Sequence, residues 1–186
     1  MLLMTVRKLT PGDLPAIDRL NPPDWPPFRR TFEHYFSTAC AQPYGLEAGG
    51  VVEAMGTLID FGTSGWISQL ITHPQAQGRG FGSQMLRFLI GEADGRGWKT
   101  LSLVATEAGY PLYVREGFRV EGWHDFWTRP TPAPEVGDRS PLVRPLVDED
   151  LSAVQTLDRE TSGENRGAYW KSLAAEGWAV GKDALE

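Results

Sequence analysis

Apolar positions recur along the chain in two periods, and the clearest belongs to a helix. Phe81, Met85, Phe88 and Leu89 fall at i, i+4, i+7 and i+8, which predicts one apolar face on a helix over 80–94. Leu14, Ile17 and Leu20, three residues apart, predict a helix over 13–20, and Phe28, Phe32, Tyr35 and Phe36 share one face of a helix over 28–40. Strands are predicted at 4–9, 44–48, 50–60, 65–73, 99–105 and 118–128, with a further helix at 109–116. Asn21-Pro22-Pro23-Asp24-Trp25-Pro26-Pro27 reads as a loop. Strands and helices interleave, so the fold class is α/β or α+β with a mixed sheet.

One pattern occurs twice. The fifteen residues Val6–Leu20 align with Val143–Leu157, and seven positions are identical. Each copy reads as a short strand, a polar turn and a helix, with apolar residues at 14, 17 and 20 and again at 151, 154 and 157. Between them, residues 130–141 hold four prolines and read as a semi-rigid linker. The expected organisation is a domain over 1–129, the linker over 130–141, and an incomplete strand-helix-helix segment over 142–186. Leu173, Trp178 and Val180 in that segment need cover. They obtain it from the first domain or from a second copy in a homodimer, or else the tail is mobile.

Composition narrows the function classes. Of 186 residues, 41% are hydrophobic and 23% charged, as in globular chains. A net charge of −6 offers no broad attraction for phosphate backbones, so nucleic acid is excluded as an expected partner. Cys40 is the one cysteine; it excludes an internal disulfide and suits a reducing cytoplasm. His34, His73 and His124 are widely separated, with no two-histidine helical spacing, so no metal site is expected. The basic residues of Met1–Lys8 follow the apolar ones, the wrong order for a secretory signal, and no apolar run reaches membrane-span length.

Candidate chemistry gathers after the strand Trp66–Thr72, which His73-Pro74 ends. Gln77-Gly78-Arg79-Gly80-Phe81-Gly82-Ser83 then runs into the predicted helix. Alternating glycines let the backbone approach a ligand, and the first helical turn offers N–H groups with no partner inside the helix. Such a start suits an anion, at about 0.3–1 kcal/mol per charge, and a pyrophosphate above all. The nucleotide-binding pattern that ends in Gly-Lys-Ser/Thr needs a lysine that is absent here. A nicotinamide dinucleotide needs glycine or alanine where Ser83 stands and an acidic residue near Ser102.

With Leu112-Tyr113-Val114-Arg115-Glu116-Gly117-Phe118 following in order, the sequence resembles the GNAT family of N-acetyltransferases over about residues 5–129. That family's coenzyme loop reads Gln/Arg-x-x-Gly-x-Gly/Ala, and a later helix ends in Leu-Tyr-x-x-x-Gly-Phe. The repeat at 143–157 resembles the opening of a second such domain. The resemblance implies a splayed mixed sheet flanked by helices, with acetyl-coenzyme A as cosubstrate and transfer of acetyl to a primary amine, small molecule or peptide, by direct attack in a ternary complex. By the same resemblance, Leu70, Ile71 and Thr72 bond the pantetheine arm through their backbone. Gln77, Gly78, Arg79, Gly80, Phe81, Gly82 and Ser83 form the pyrophosphate loop, and Tyr113 protonates the leaving thiolate.

Two departures accompany the resemblance. Thr106 stands where the family often has asparagine, and the strand Trp66–Thr72 lacks the glutamate that serves some members as a base. Glu53, Asp60, Glu107 and His73 remain as candidate bases, beside a chain of waters. The aromatic series Trp25, Phe28, Phe32, Tyr35 and Phe36 either packs the core or borders the acceptor groove. Cys40 as a nucleophile is the competing mechanism. A non-catalytic acyl-coenzyme A binding or regulatory module is the alternative from another class.

Overall fold

Val51–Asp60 has ten consecutive strand residues, and the sheet is assembled outward from it. The computed structural model describes residues 4–125, 127, 143–174 and 179–181. In chain order the first strands are β1 Met4–Lys8, β2 Ala41–Ala48, β3 Val51–Asp60, β4 Ser64–Thr72 and β5 Thr100–Ser102. They form one sheet in the order β1-β2-β3-β4-β5. All pairs are antiparallel except β4 with β5, so the sheet is mixed, as the interleaved pattern predicts. Both chain connections β2–β3 and β3–β4 are short hairpins, which fixes the centre of the sheet locally.

The two faces are covered by different helices because side chains alternate along β3. Met55 and Ile59 face α1 Leu14–Leu20 and α2 Arg29–Ser37, packing with Ile17, Leu20, Phe32 and Tyr35. Gly56 faces α3 Phe81–Gly95, where Leu89 Cδ1 comes within 2.7 Å of the place a Cβ would occupy. Phe81, Met85 and Leu89 of the face read from the sequence are buried together with Leu86, while Phe88 is half-buried and meets the Tyr44 ring at 5.1 Å. Burial of each such side chain contributes about 1.5–3 kcal/mol.

Three expected boundaries differ. The helix expected over 28–40 stops at Ser37, because Cys40 already serves the sheet: its carbonyl accepts from Asp60 N at 2.7 Å. The strand expected over 99–105 is only Thr100–Ser102. Among the described residues of 118–128 there is no strand. Residues 119–125 are all exposed, so neither face of that alternating stretch is covered, and an uncovered strand gains little.

The chain divides into two compact units. The first holds residues to Leu103 together with Glu164–Tyr169; the second holds Val104–Gly163 and the residues from Trp170 on. In the first unit, Ser64 Oγ donates to Glu164 Oε1 at 3.0 Å, and the Tyr169 ring meets Phe61 edge-on at 5.7 Å. The second contains α4 Tyr110–Arg115, β6 Val143–Pro145 paired antiparallel with β7 Ala179–Gly181, and α5 Leu151–Ser162. α6 Gly167–Ala174 begins in the first unit and ends in the second. The expected linker 130–141 lies outside the described residues, as do the side chains of Leu173, Trp178 and Val180.

The repeat has a physical content within each unit. Arg7 donates to both oxygens of Asp13, at 3.0 and 2.7 Å, and Asp13 accepts from Thr10 N at 2.8 Å. Arg144 donates to both oxygens of Asp150, at 2.5 and 2.6 Å, and Asp150 accepts from Val147 N at 3.0 Å. In both copies the arginine of a strand clamps the aspartate that closes a 3-10 turn and starts a helix. Four of the seven identities, Val-Arg and Asp-Leu, frame that arrangement.

Candidate active site

The open edge of β4 comes first. β4 pairs with β5 only at Ser64, Gly65 and Trp66; from Ile67 to Thr72 no described strand lies on that side. Two parallel strands that pair at one end and then part leave a row of backbone N–H and C=O groups unpaired, a template for an extended ligand. Leu70, Ile71 and Thr72 lie in this stretch, half-buried. On its other edge β4 carries a bulge: Thr57 faces Ser68 and Met55 faces Ile71, so Gln69 and Leu70 together oppose Gly56. Gln69 has φ +44, the one non-glycine residue with positive φ among the described residues.

The loop after β4 turns on left-handed glycines and runs into the start of a helix. A 3-10 turn over Pro74–Ala76 ends at Gln77, whose Nε2 donates to Thr72 O at 3.3 Å and ties the loop to the strand end. Gly78 and Gly80 have φ +74 and +83, with Arg79 between them. A left-handed residue beside a right-handed one turns successive N–H groups toward a common point. Gly80 is also the N-cap of α3, whose fifteen residues place the positive end of their dipole at this loop. Gly78 has no atom within 4 Å of a Cβ position, and residues 77–80 are exposed, so a ligand reaches the backbone without obstruction. The Arg79 guanidinium rests 4.8 Å over the Phe81 ring, whose side chain is buried while its backbone stays in the first turn beside Gly82 and Ser83.

Tyr113 lies in the second unit, on α4. The helix ends in a Schellman arrangement: Gly117 N donates to Val114 O and Phe118 N to Tyr113 O, both at 3.1 Å, with Gly117 at φ +94. Phe118 then packs edge-on against Tyr113 at 5.9 Å. Gly109 stands one turn before, and a Cβ there would come within 3.0 Å of Tyr113 Cε2. Thr106 accepts from the N–H groups of Gly109 and Tyr110 through its carbonyl, and from Gly109 through its hydroxyl, so it closes the turn that leads into α4. Burial raises the Tyr113 pKa above its usual 10, which keeps the phenol protonated at neutral pH.

Of the candidate bases, Glu53 pairs with Arg19 at 3.4 Å, and Asp60 approaches Arg96 at 3.5 Å while accepting from Gly62 N. Both carboxylates are engaged by an arginine. Cys40 is buried, with Thr38 Oγ1 3.0 Å from its sulfur. The aromatic series forms a chain of ring contacts from Trp25 through Phe28 and Phe32 to Tyr35. Phe28, Phe32 and Tyr35 are buried, yet Tyr35 carries its hydroxyl to Ser68 Oγ on β4 at 3.3 Å. Sequence reasoning overlooks Ser68 and Gln69. Their trace is two adjacent polar residues in a strand that should alternate.

Solved structures share this fold. A Pyrococcus horikoshii protein assigned as an acetyltransferase is similar with a TM-score of 0.74 and 20% identity, covering 96% of this chain and 64% of its own. A predicted acetyltransferase of Clostridium acetobutylicum, solved with acetyl-CoA, gives 0.52 and 23% over 67% of this chain and 96% of its own. The ribosomal-protein-S18-alanine N-acetyltransferase of Escherichia coli gives 0.57 and 25% over 63% of this chain and 78% of its own. No curated protein sequence matches the chain. The splayed, helix-flanked sheet is that of GNAT acetyltransferases, and residues 40–120 match the family model of the acetyltransferase (GNAT) domain.

Proposed function

We propose that the protein moves an acetyl group from acetyl-coenzyme A to a primary amine. The observation that carries this reading is the succession of an open β4 edge, a loop with glycines at φ +74 and +83, and the N-terminus of α3. An extended amide-bearing arm suits the first, and a pyrophosphate suits the other two. Leu70, Ile71 and Thr72 hold the arm. The backbone of Gly78 to Ser83 takes the diphosphate, with Gln77 bracing the loop and Arg79 adding charge.

The bound group supplies a thioester whose carbonyl carbon is the electrophile. The neutral amine attacks that carbon, the C–N bond forms and the C–S bond breaks, and the amine's surplus proton leaves through water. Tyr113 gives its proton to the departing thiolate, a role favoured by the burial that holds its pKa up. The acceptor is a small molecule or a peptide, and the reducing cytoplasm is the compartment that suits Cys40. Residues 142–186 open a second unit of the same design, a reading supported by the matching Arg7–Asp13 and Arg144–Asp150 clamps.

The test follows free thiol released from acetyl-coenzyme A with spermidine, an alanine-leading peptide and glucosamine 6-phosphate as acceptors. Amine-dependent release is expected. Coenzyme-dependent thermal stabilisation without release from any of the three would replace the reading with a non-catalytic acyl-coenzyme A binding module.

A further inference from the structure

The α2-facing side of the sheet is apolar around Phe32, Met55, Ile59 and Trp66, with one polar interruption at the β4 bulge. The bulge turns two successive residues, Ser68 and Gln69, toward Tyr35. Tyr35 donates its hydroxyl proton to Ser68 Oγ at 3.3 Å, and the Gln69 side chain acts on the same phenol in the sense of a donor, opposing the rise in pKa that burial causes. Within a carboxamide only the NH2 group can act as that donor, which leaves the carbonyl oxygen to other partners. The Gln69 Oε1 is buried with no partner, and so is Thr57 Oγ1, on the residue directly across from Ser68. A buried polar atom without a partner is unfavourable, so two on one face of an otherwise apolar layer mark a place where a ligand completes the bonding.

A carboxamide oxygen only accepts, and it carries no formal charge. It therefore takes an N–H without stabilising the ammonium form as a carboxylate would, and leaves the nitrogen lone pair free to attack. We infer that Gln69 Oε1 accepts a hydrogen bond from the amine nucleophile and that Tyr35 is the positioning residue that aims it. This rests on the amine-acetylation reading above. A primary amine has two hydrogens; one is lost in the reaction, and the other holds the bond to Gln69 from substrate through to the amide product.

The experiment measures steady-state kinetics of wild type, Gln69→Leu, Gln69→Glu and Tyr35→Phe with whichever of the three amines above supports thiol release. Acetyl-coenzyme A affinity is measured beside it by titration. Gln69→Leu keeps the side-chain volume and removes the acceptor; an amine KM raised tenfold or more with unchanged coenzyme affinity is expected. Tyr35→Phe changes KM in the same direction by less. Gln69→Glu holds the amine as ammonium, so the pH optimum of kcat/KM moves upward by about one unit, a displacement that a purely structural role does not produce. If Gln69→Leu does not fold, the Gln69→Glu profile decides. Wild-type amine KM in Gln69→Leu, or an unmoved pH profile in Gln69→Glu, overturns the inference alone. Absence of release by wild type with all three amines overturns the acetylation reading and this inference with it.

Discussion

Asp13 shows how much one residue carries. It accepts two bonds from Arg7 and one from Thr10 N, and the guanidinium holds its pKa down at about 2. A depressed carboxylate stabilises the fold above the ordinary carboxylate range and loses that contribution as pH falls toward 2. Asp13→Asn is therefore expected to lower stability at pH 7 by about 1 kcal/mol, discounted for the water around Arg7. The same substitution flattens the acid limb between about pH 4 and 2; urea midpoints across that range check it. Gly65 is a second such residue. A Cβ there would lie 2.0 Å from Trp98 Cζ3, so Gly65→Ala must displace a ring that the Arg96 guanidinium covers at 5.1 Å. A loss of about 1–3 kcal/mol is expected in the same measurement. For Tyr113→Phe, about 10²-fold lower turnover with unchanged coenzyme affinity is expected. Because burial raises the phenol's pKa, any alkaline fall in wild-type turnover that belongs to Tyr113 lies above pH 10 and vanishes in the variant.

At the scale of elements, the start of α3 depends on a left-handed residue. Gly80 caps the helix at φ +83, a conformation strained for any branched side chain. Gly80→Val is expected to cost coenzyme affinity tenfold or more, read by calorimetric titration, while the body of α3 keeps its buried face of Met85, Leu86 and Leu89. Unchanged affinity would remove the loop from coenzyme binding. The helix and this loop are legible in the sequence because their causes are local: apolar spacing, and glycines in a turn after a proline. The bulge of β4 is not. Ser68-Gln69 breaks the alternation, but only pairing with β3 decides that the chain accommodates the break at Gln69, with positive φ, rather than by a shift of register.

For the whole molecule, the repeated opening makes a testable demand. Arg144 clamps Asp150 as Arg7 clamps Asp13, and the Asp150 pKa is likewise held at about 2. Asp150→Asn is expected to speed amide exchange in Leu151–Ser162 while Leu14–Leu20 keeps its protection. Equal loss in both helices would show that the clamp is not local to its unit. What the sequence determined by itself was whatever depends on neighbours along the chain. That covers the order of elements up to α4, the glycine turn before α3, the repeat and the end of α4 at Gly117-Phe118. Tertiary structure decided what depends on residues distant in sequence. β5 stops after three pairs and leaves β4 open, Glu53 and Asp60 are engaged by arginines, and Tyr35 meets Ser68 and Gln69 across 33 and 34 positions. Periodicity reports which face of an element is buried, but hydrogen-bond partners and the parting of two strands arise only when the sheet is assembled.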